Sequence, residues 1–90
     1  MNKIERQLLD NMLDALDRLY DRESSALDIQ ALAQATAAAV SSPDMADMAR
    51  ELSDAASALL VVVRSRLGEK EYDAALDATY DLRLRLSATL

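Results

Sequence analysis

The side chains in this 90-residue sequence that could do chemistry are carboxylates, and they recur at helical intervals. Asp10, Asp14, Asp17 and Asp21 follow steps of four, three and four, which aligns them along one side of a helix. Asp44, Asp47, Glu51 and Asp54 do the same, and so do Asp73, Asp77 and Asp81, below Glu69 and Glu71. Carboxylates one turn apart can hold a divalent cation or attract a cationic partner. The metal reading meets an obstacle. A di-iron site in a helical bundle needs Glu-x-x-His, and the chain has no His; an EF-hand loop needs alternating acids around a central Gly, and that pattern is absent. No Cys is present either, so a thiolate metal site and a disulfide are both excluded. We expect no metal and no cofactor.

Catalysis loses its usual parts in the same way. Without His or Cys there is no general base of the common kind and no thiolate nucleophile. The single Gly excludes a phosphate-binding loop and a nucleophile elbow, and Ser24, Ser25, Ser41 and Ser42 stand where helix caps are expected. The chain therefore reads as a binding protein and not an enzyme.

Between Glu69 and Asp81 five acids face the single base Lys70. Like charges one turn apart cost a few tenths of a kcal/mol per pair, and a partner presenting Arg and Lys would reverse that cost. Tyr72 and Tyr80, eight residues apart, are expected on nearly the same side of this helix. Tyr offers a large contact area and a hydroxyl at little entropic cost. The predicted partner-binding residues are thus Glu69, Glu71, Tyr72, Asp73, Asp77, Tyr80 and Asp81. Asp10, Asp14, Asp17 and Asp21 come second, because Arg18 and Arg22 interleave them and Asp14 can pair with Arg18 at i, i+4. The competing reading makes each stripe the solvated outer side of an amphipathic helix.

The charge balance says which partners suit such stripes. A net charge of −6 and a pI near 4.4 repel nucleic-acid phosphates and anionic membranes and attract basic proteins. Direct nucleic-acid binding is disfavoured. The start, MNKIERQLLD, has no apolar signal core, and the longest apolar run, Ala58 to Val63, falls far short of the roughly 20 residues that span a bilayer. The expectation is a soluble cytoplasmic protein.

Four helices position these residues. Ile4, Leu8, Leu9, Met12, Leu13, Leu16, Leu19 and Tyr20 recur at spacings of three and four, which predicts a first helix from Asn2 to Arg22. Ser24 or Ser25 caps the second, with Asp28 completing a near capping box, and it runs to about Ser41 with Ile29, Leu32, Ala33, Thr36, Ala37 and Val40 buried. Ser42-Pro43-Asp44 starts a third helix, which continues through Met45, Leu52, Ala56, Leu59 and Val63 to Leu67 and ends at Gly68 as a left-handed C-cap. The fourth begins at Glu69. Its tail, Leu82 to Leu86, alternates like a strand, but a lone strand would have no partner here, so the segment is read as helix with Leu84 half exposed. One domain, residues 1–90, follows: an all-α, four-helix antiparallel up-down-up-down bundle. No charge occurs between Asp28 and Asp44, so the second helix is expected at the centre, surrounded by protein.

The segment Leu16 to Ile29, LDRLYDRESSALDI, has a Leu- and Tyr-rich helix end, a short polar turn, then Ser-Ala-x-Asp and an apolar residue. In this it resembles the first helix junction of small bacterial immunity proteins of the colicin D type, and of those that accompany contact-dependent growth-inhibition toxins. The resemblance implies an acidic helical bundle that neutralises a nuclease toxin, a tRNase or other RNase, by filling its basic active-site cleft. The alternative is a self-associating helical adaptor, a homodimer formed through Leu82, Leu84 and Leu86.

Overall fold

The computed structural model describes residues 3–21, 23, 25–66 and 68–88 and contains four helices, with no strand among those residues. They are α1 (Lys3–Tyr20), α2 (Ala26–Ala39), α3 (Pro43–Arg64) and α4 (Glu69–Ser87). Asn2, Arg22, Ser24 and Leu67, named above as helix or cap positions, lie outside the described residues. Each helix packs against its chain neighbours, and α4 closes the ring against α1. Cross-links between them fix the directions. Glu5 at the start of α1 meets Ser41 just after α2, Asp17 and Tyr20 meet Arg83 and Thr79, and Glu51 meets Arg85. The result is an antiparallel up-down-up-down bundle of 41 × 20 × 18 Å.

Local chemistry sets the helix starts. Ser25 accepts from the Asp28 N–H while the Asp28 carboxylate accepts from the Ser25 N–H, a complete capping box with Asp in the usual Glu position. Ser42 accepts from the Met45 N–H, with Pro43 in the first turn. Leu9, Met12, Leu16, Ile29, Ala33, Leu52, Ala56, Leu59 and Leu86 form the centre of the core. The buried hydroxyls of Thr36 and Thr79 donate to the carbonyls of Leu32 and Leu76, and no buried side-chain N or O among the described residues lacks a partner.

Several expectations need correction. α2 is not central. A ring of four helices has only corners, so the outer side of α2 stays exposed along Leu27, Ala31, Gln34, Ala35 and Ala38. The left-handed residue after α3 is Arg66, at φ 54°, while Gly68, at φ −69°, is the N-cap of α4. α3 stops at Arg64, with Ser65 as its C-cap and the left-handed Arg66 turning the chain away, and α1 and α2 stop at Tyr20 and Ala39. Ile4 is 70% exposed, on the flank of α1 beside the buried Glu5, and Val63 is exposed too, at the open cleft near the end of α3. The Leu82 to Leu86 tail is helical: Leu82 and Leu86 are buried, Leu84 is 66% exposed, and an apolar dimer surface there shrinks to that one residue. No helix among the described residues is long and apolar enough to cross a membrane.

Candidate functional site

The bundle gathers the three acidic stripes around α4. Arg83 of α4 binds the Asp17 carboxylate with both Nε and Nη2, at 2.9 and 3.2 Å, which puts the α1 stripe beside one flank of α4. Asp10, Asp14 and Asp21 share the side of Asp17 by helical spacing. On the other flank Arg85 donates to Glu51 at 2.8 Å, so the stripe of Asp44, Asp47, Glu51 and Asp54 borders α4 there. Glu69, Glu71, Asp73, Asp77 and Asp81 are exposed on α4 itself. Sequence spacing identified the stripes one helix at a time; the ring closure of α1 on α4 makes one acidic corner of them.

The carboxylates at this corner differ in how far the protein already satisfies them. Asp14 pairs with Arg18 at 3.1 Å, Asp47 with Arg50, Asp17 with Arg83 and Glu51 with Arg85. The Asp17 carboxylate beside Arg83 raises the guanidinium's pKa above its ordinary value, although burial works the other way. None of Glu69, Glu71, Asp73, Asp77 and Asp81 forms an ion pair among the described residues. Their field is the one that a partner could still neutralise.

The tyrosines part company. Tyr72 turns inward and is half-buried against the core, whereas Tyr80 is 43% exposed. The ring of Tyr80 stacks on Tyr20, with centroids 4.1 Å apart and planes 20° from parallel. The Tyr20 hydroxyl meets Thr79 Oγ1 at 3.1 Å. Thr79 spends its only hydroxyl proton on the Leu76 carbonyl at 2.6 Å, so Tyr20 is the donor. Burial pushes the Tyr20 pKa up. Tyr80 and Leu84 therefore stand out among acids on α4, with Tyr80 anchored on the Tyr20 ring. Sequence reasoning missed the stack, the Arg83–Asp17 fork and the Glu5–Ser41 contact, because each joins residues 36 or more positions apart or depends on the level at which two helices meet.

No three acidic side chains among the described residues converge as metal ligands; the stripes point outward. An apolar cleft of about 190 Å³ lies at the end of the bundle between Leu19, Ser25, Ala26, Leu59, Leu60, Val63 and Tyr72. Ligand pockets usually exceed about 300 Å³ and converge several polar groups on the ligand. Among the described residues that line this one, Ser25 and Tyr72 alone have polar side-chain groups. No family model, curated protein or solved structure matches the chain.

Proposed function

We propose that this protein is a non-enzymatic inhibitor that captures a basic protein partner on its α4 corner. The observation that carries the reading is the run of five exposed carboxylates from Glu69 to Asp81 that form no ion pair among the described residues, with Tyr80 and Leu84 exposed among them. Acids alone would serve solubility. Acids around an exposed aromatic and an aliphatic side chain give both the long-range steering and the short-range anchor that an interface needs. The resemblance at Leu16 to Ile29 supplies the partner's class: a nuclease toxin, whose substrate-binding cleft must be basic. Asp73, Asp77 and Asp81 would enter that cleft in place of phosphates, Tyr80 would pack at its rim, and the α1 stripe from Asp10 to Asp21 would border the contact. The cytoplasm, where such a toxin acts, is where the inhibitor would work.

The test has two stages. A tagged copy incubated at low salt with lysate of its native cells should retain a stoichiometric partner of basic pI that salt releases and that is toxic when expressed alone. The triple charge reversal Asp73→Lys, Asp77→Lys, Asp81→Lys should then weaken binding at least about tenfold, mainly through slower association, with helicity unchanged by circular dichroism. Unchanged affinity in that variant would remove the α4 corner from the interface.

A further inference from the structure

α4 is held unevenly along its length. Residues 79–87 contain its buried side chains, Thr79, Leu82 and Leu86, and the same half makes its polar contacts to other helices. Tyr20 donates to Thr79, Arg83 grips Asp17 and Arg85 donates to Glu51. Residues 69–75 bury nothing: Tyr72 and Ala75 are half-buried and the rest exposed. Among the described residues, none of these seven joins another helix through a side-chain hydrogen bond or ion pair. Tyr72 helps to line the cleft of about 190 Å³ with Leu19, Ala26, Leu59, Leu60 and Val63, so the first turns of α4 border an open gap. The start is also weakly capped. Gly68 brings no side chain to the free N–H groups of the first turn, where α2 and α3 have Ser25 and Ser42. The charges act in the same direction, because Glu69, Asp73 and Asp77 stand at successive i, i+4 positions and repel. At Leu76 the hold begins: its side chain is half-buried against the core and its carbonyl accepts from the Thr79 hydroxyl.

We propose that residues 69–75 are a flap, which unwinds and reforms beside the cleft while the rest of α4 stays packed, and that neutralising its acids closes it. Opening lifts Tyr72 and Ala75 from half-buried positions, relieves two repulsions and breaks no polar bond to another helix. Opening the second half would instead strip Leu82 and Leu86 from the core and part Arg83 from Asp17. Local opening takes place where buried apolar contacts are fewest, and in α4 that is the flap. Its boundary falls before Leu76, since the carbonyls from Leu76 onward keep the helix that carries Thr79, Leu82 and Leu86. The consequence for binding is regulation. On the reading that α4 captures a basic protein, the partner's Lys and Arg side chains would turn the repulsions into attractions, so capture and closure become one event. Closure by the partner rests on that reading; the opening itself does not.

The experiment is native-state hydrogen exchange of the intact chain, followed residue by residue by NMR across low urea concentrations. The backbone amides of residues 73–78 should be at least about tenfold less protected than those of residues 81–85 and of Leu52 in the core of α3. Their protection should stay level as urea rises while that of the second set falls, because opening the flap exposes little surface. Tyr20→Phe should lower protection at residues 81–85 about fivefold and leave residues 73–78 as they were, since the seam is intact when the flap opens. Asp73→Asn removes the repulsions with Glu69 and Asp77 at nearly equal helix propensity, and should raise protection at residues 73–78 roughly twofold to fivefold. One protection level and one urea slope along all of α4, or a joint fall of both sets in Tyr20→Phe, would overturn the flap. Unchanged exchange in Asp73→Asn would overturn closure by neutralisation. Each readout is made without a partner, so failure of the flap and failure of the capture reading are told apart.

Discussion

If the α1–α4 seam is held by the hydrogen bond from Tyr20 to Thr79, losing both partners should cost no more than losing the Tyr20 hydroxyl alone. The perturbation is a cycle of Tyr20→Phe, Thr79→Val and the double variant. Thr79 is fully buried and Val copies its shape, so no cavity forms. Its other contact, to the Leu76 carbonyl, leaves nothing orphaned when lost, because that carbonyl keeps the Tyr80 backbone N–H of the helix. What Thr79→Val does remove is the acceptor for the Tyr20 hydroxyl. A neutral hydrogen bond contributes about 1 kcal/mol net, and a hydroxyl that is only half-buried regains part of that from water. Tyr20→Phe should therefore cost about 1 kcal/mol. Thr79→Val should cost less, about 0.5 kcal/mol, because burying a methyl in place of a hydroxyl offsets part of the loss. The double variant should lie near Tyr20→Phe alone, for a coupling energy of about 0.5 kcal/mol. Urea unfolding followed by far-ultraviolet circular dichroism measures it, and for a domain of this size 1 kcal/mol also moves Tm by about 4–8 °C. Strictly additive single effects would refute the reasoning, since the two hydroxyls would then contribute independently of each other.

Two further outcomes are expected. The Glu5 carboxylate accepts from Ser41 through Oγ, at 2.6 Å, and through the backbone N–H, at 3.3 Å, and these bonds hold its pKa below the ordinary glutamate value. A depressed carboxylate pKa adds stability that is present above the unfolded-state pKa and is lost as pH falls through the folded one; Glu5→Gln should therefore flatten the acid limb of the Tm-against-pH curve below pH of about 4, and an unchanged limb would dismiss the contact. At the α3–α4 turn, Arg66→Gly should stabilise the fold by about 0.5–1 kcal/mol in chemical denaturation, because φ 54° strains a side chain by more than glycine's extra chain entropy costs; destabilisation there would mean that the Arg66 side chain makes a contact of greater worth.

Individual residues show where legibility in the sequence ended. Ser25 with Asp28 and Ser42 with Pro43 could be read as helix starts because each cap closes within three residues of chain, and that geometry is the same in any fold. The core lines of α1 and α3 were legible for a related reason: a 3.6-residue period allows one apolar side only, and Leu9, Leu16, Leu52 and Leu59 had no other place to go. Reading failed where a position depended on how far a neighbour extends. Ile4 and Val63 keep the apolar spacing, yet Ile4 falls on the flank of α1 and Val63 borders the open cleft, so both are exposed. Gly68 was a reasonable left-handed residue by type, yet the chain turned two residues earlier, at Arg66, because α3 ends at Arg64.

The same division separates the acidic stripes from the corner that they build. Composition and spacing determined that this chain is four helices, that its carboxylates run in lines, and that α2 is nearly uncharged; these follow from residue type and the helical period alone. Only the tertiary structure decided that α4 lies between the stripes of α1 and α3, that Tyr80 leans on Tyr20 while Tyr72 turns inward, and that the uncharged helix occupies a corner with one side bare. The physical reason is range. Hydrogen bonds of caps and helices close over three or four residues and are written in sequence order, whereas the side of a helix that meets a neighbour depends on the summed packing of the whole ring, which no local segment encodes.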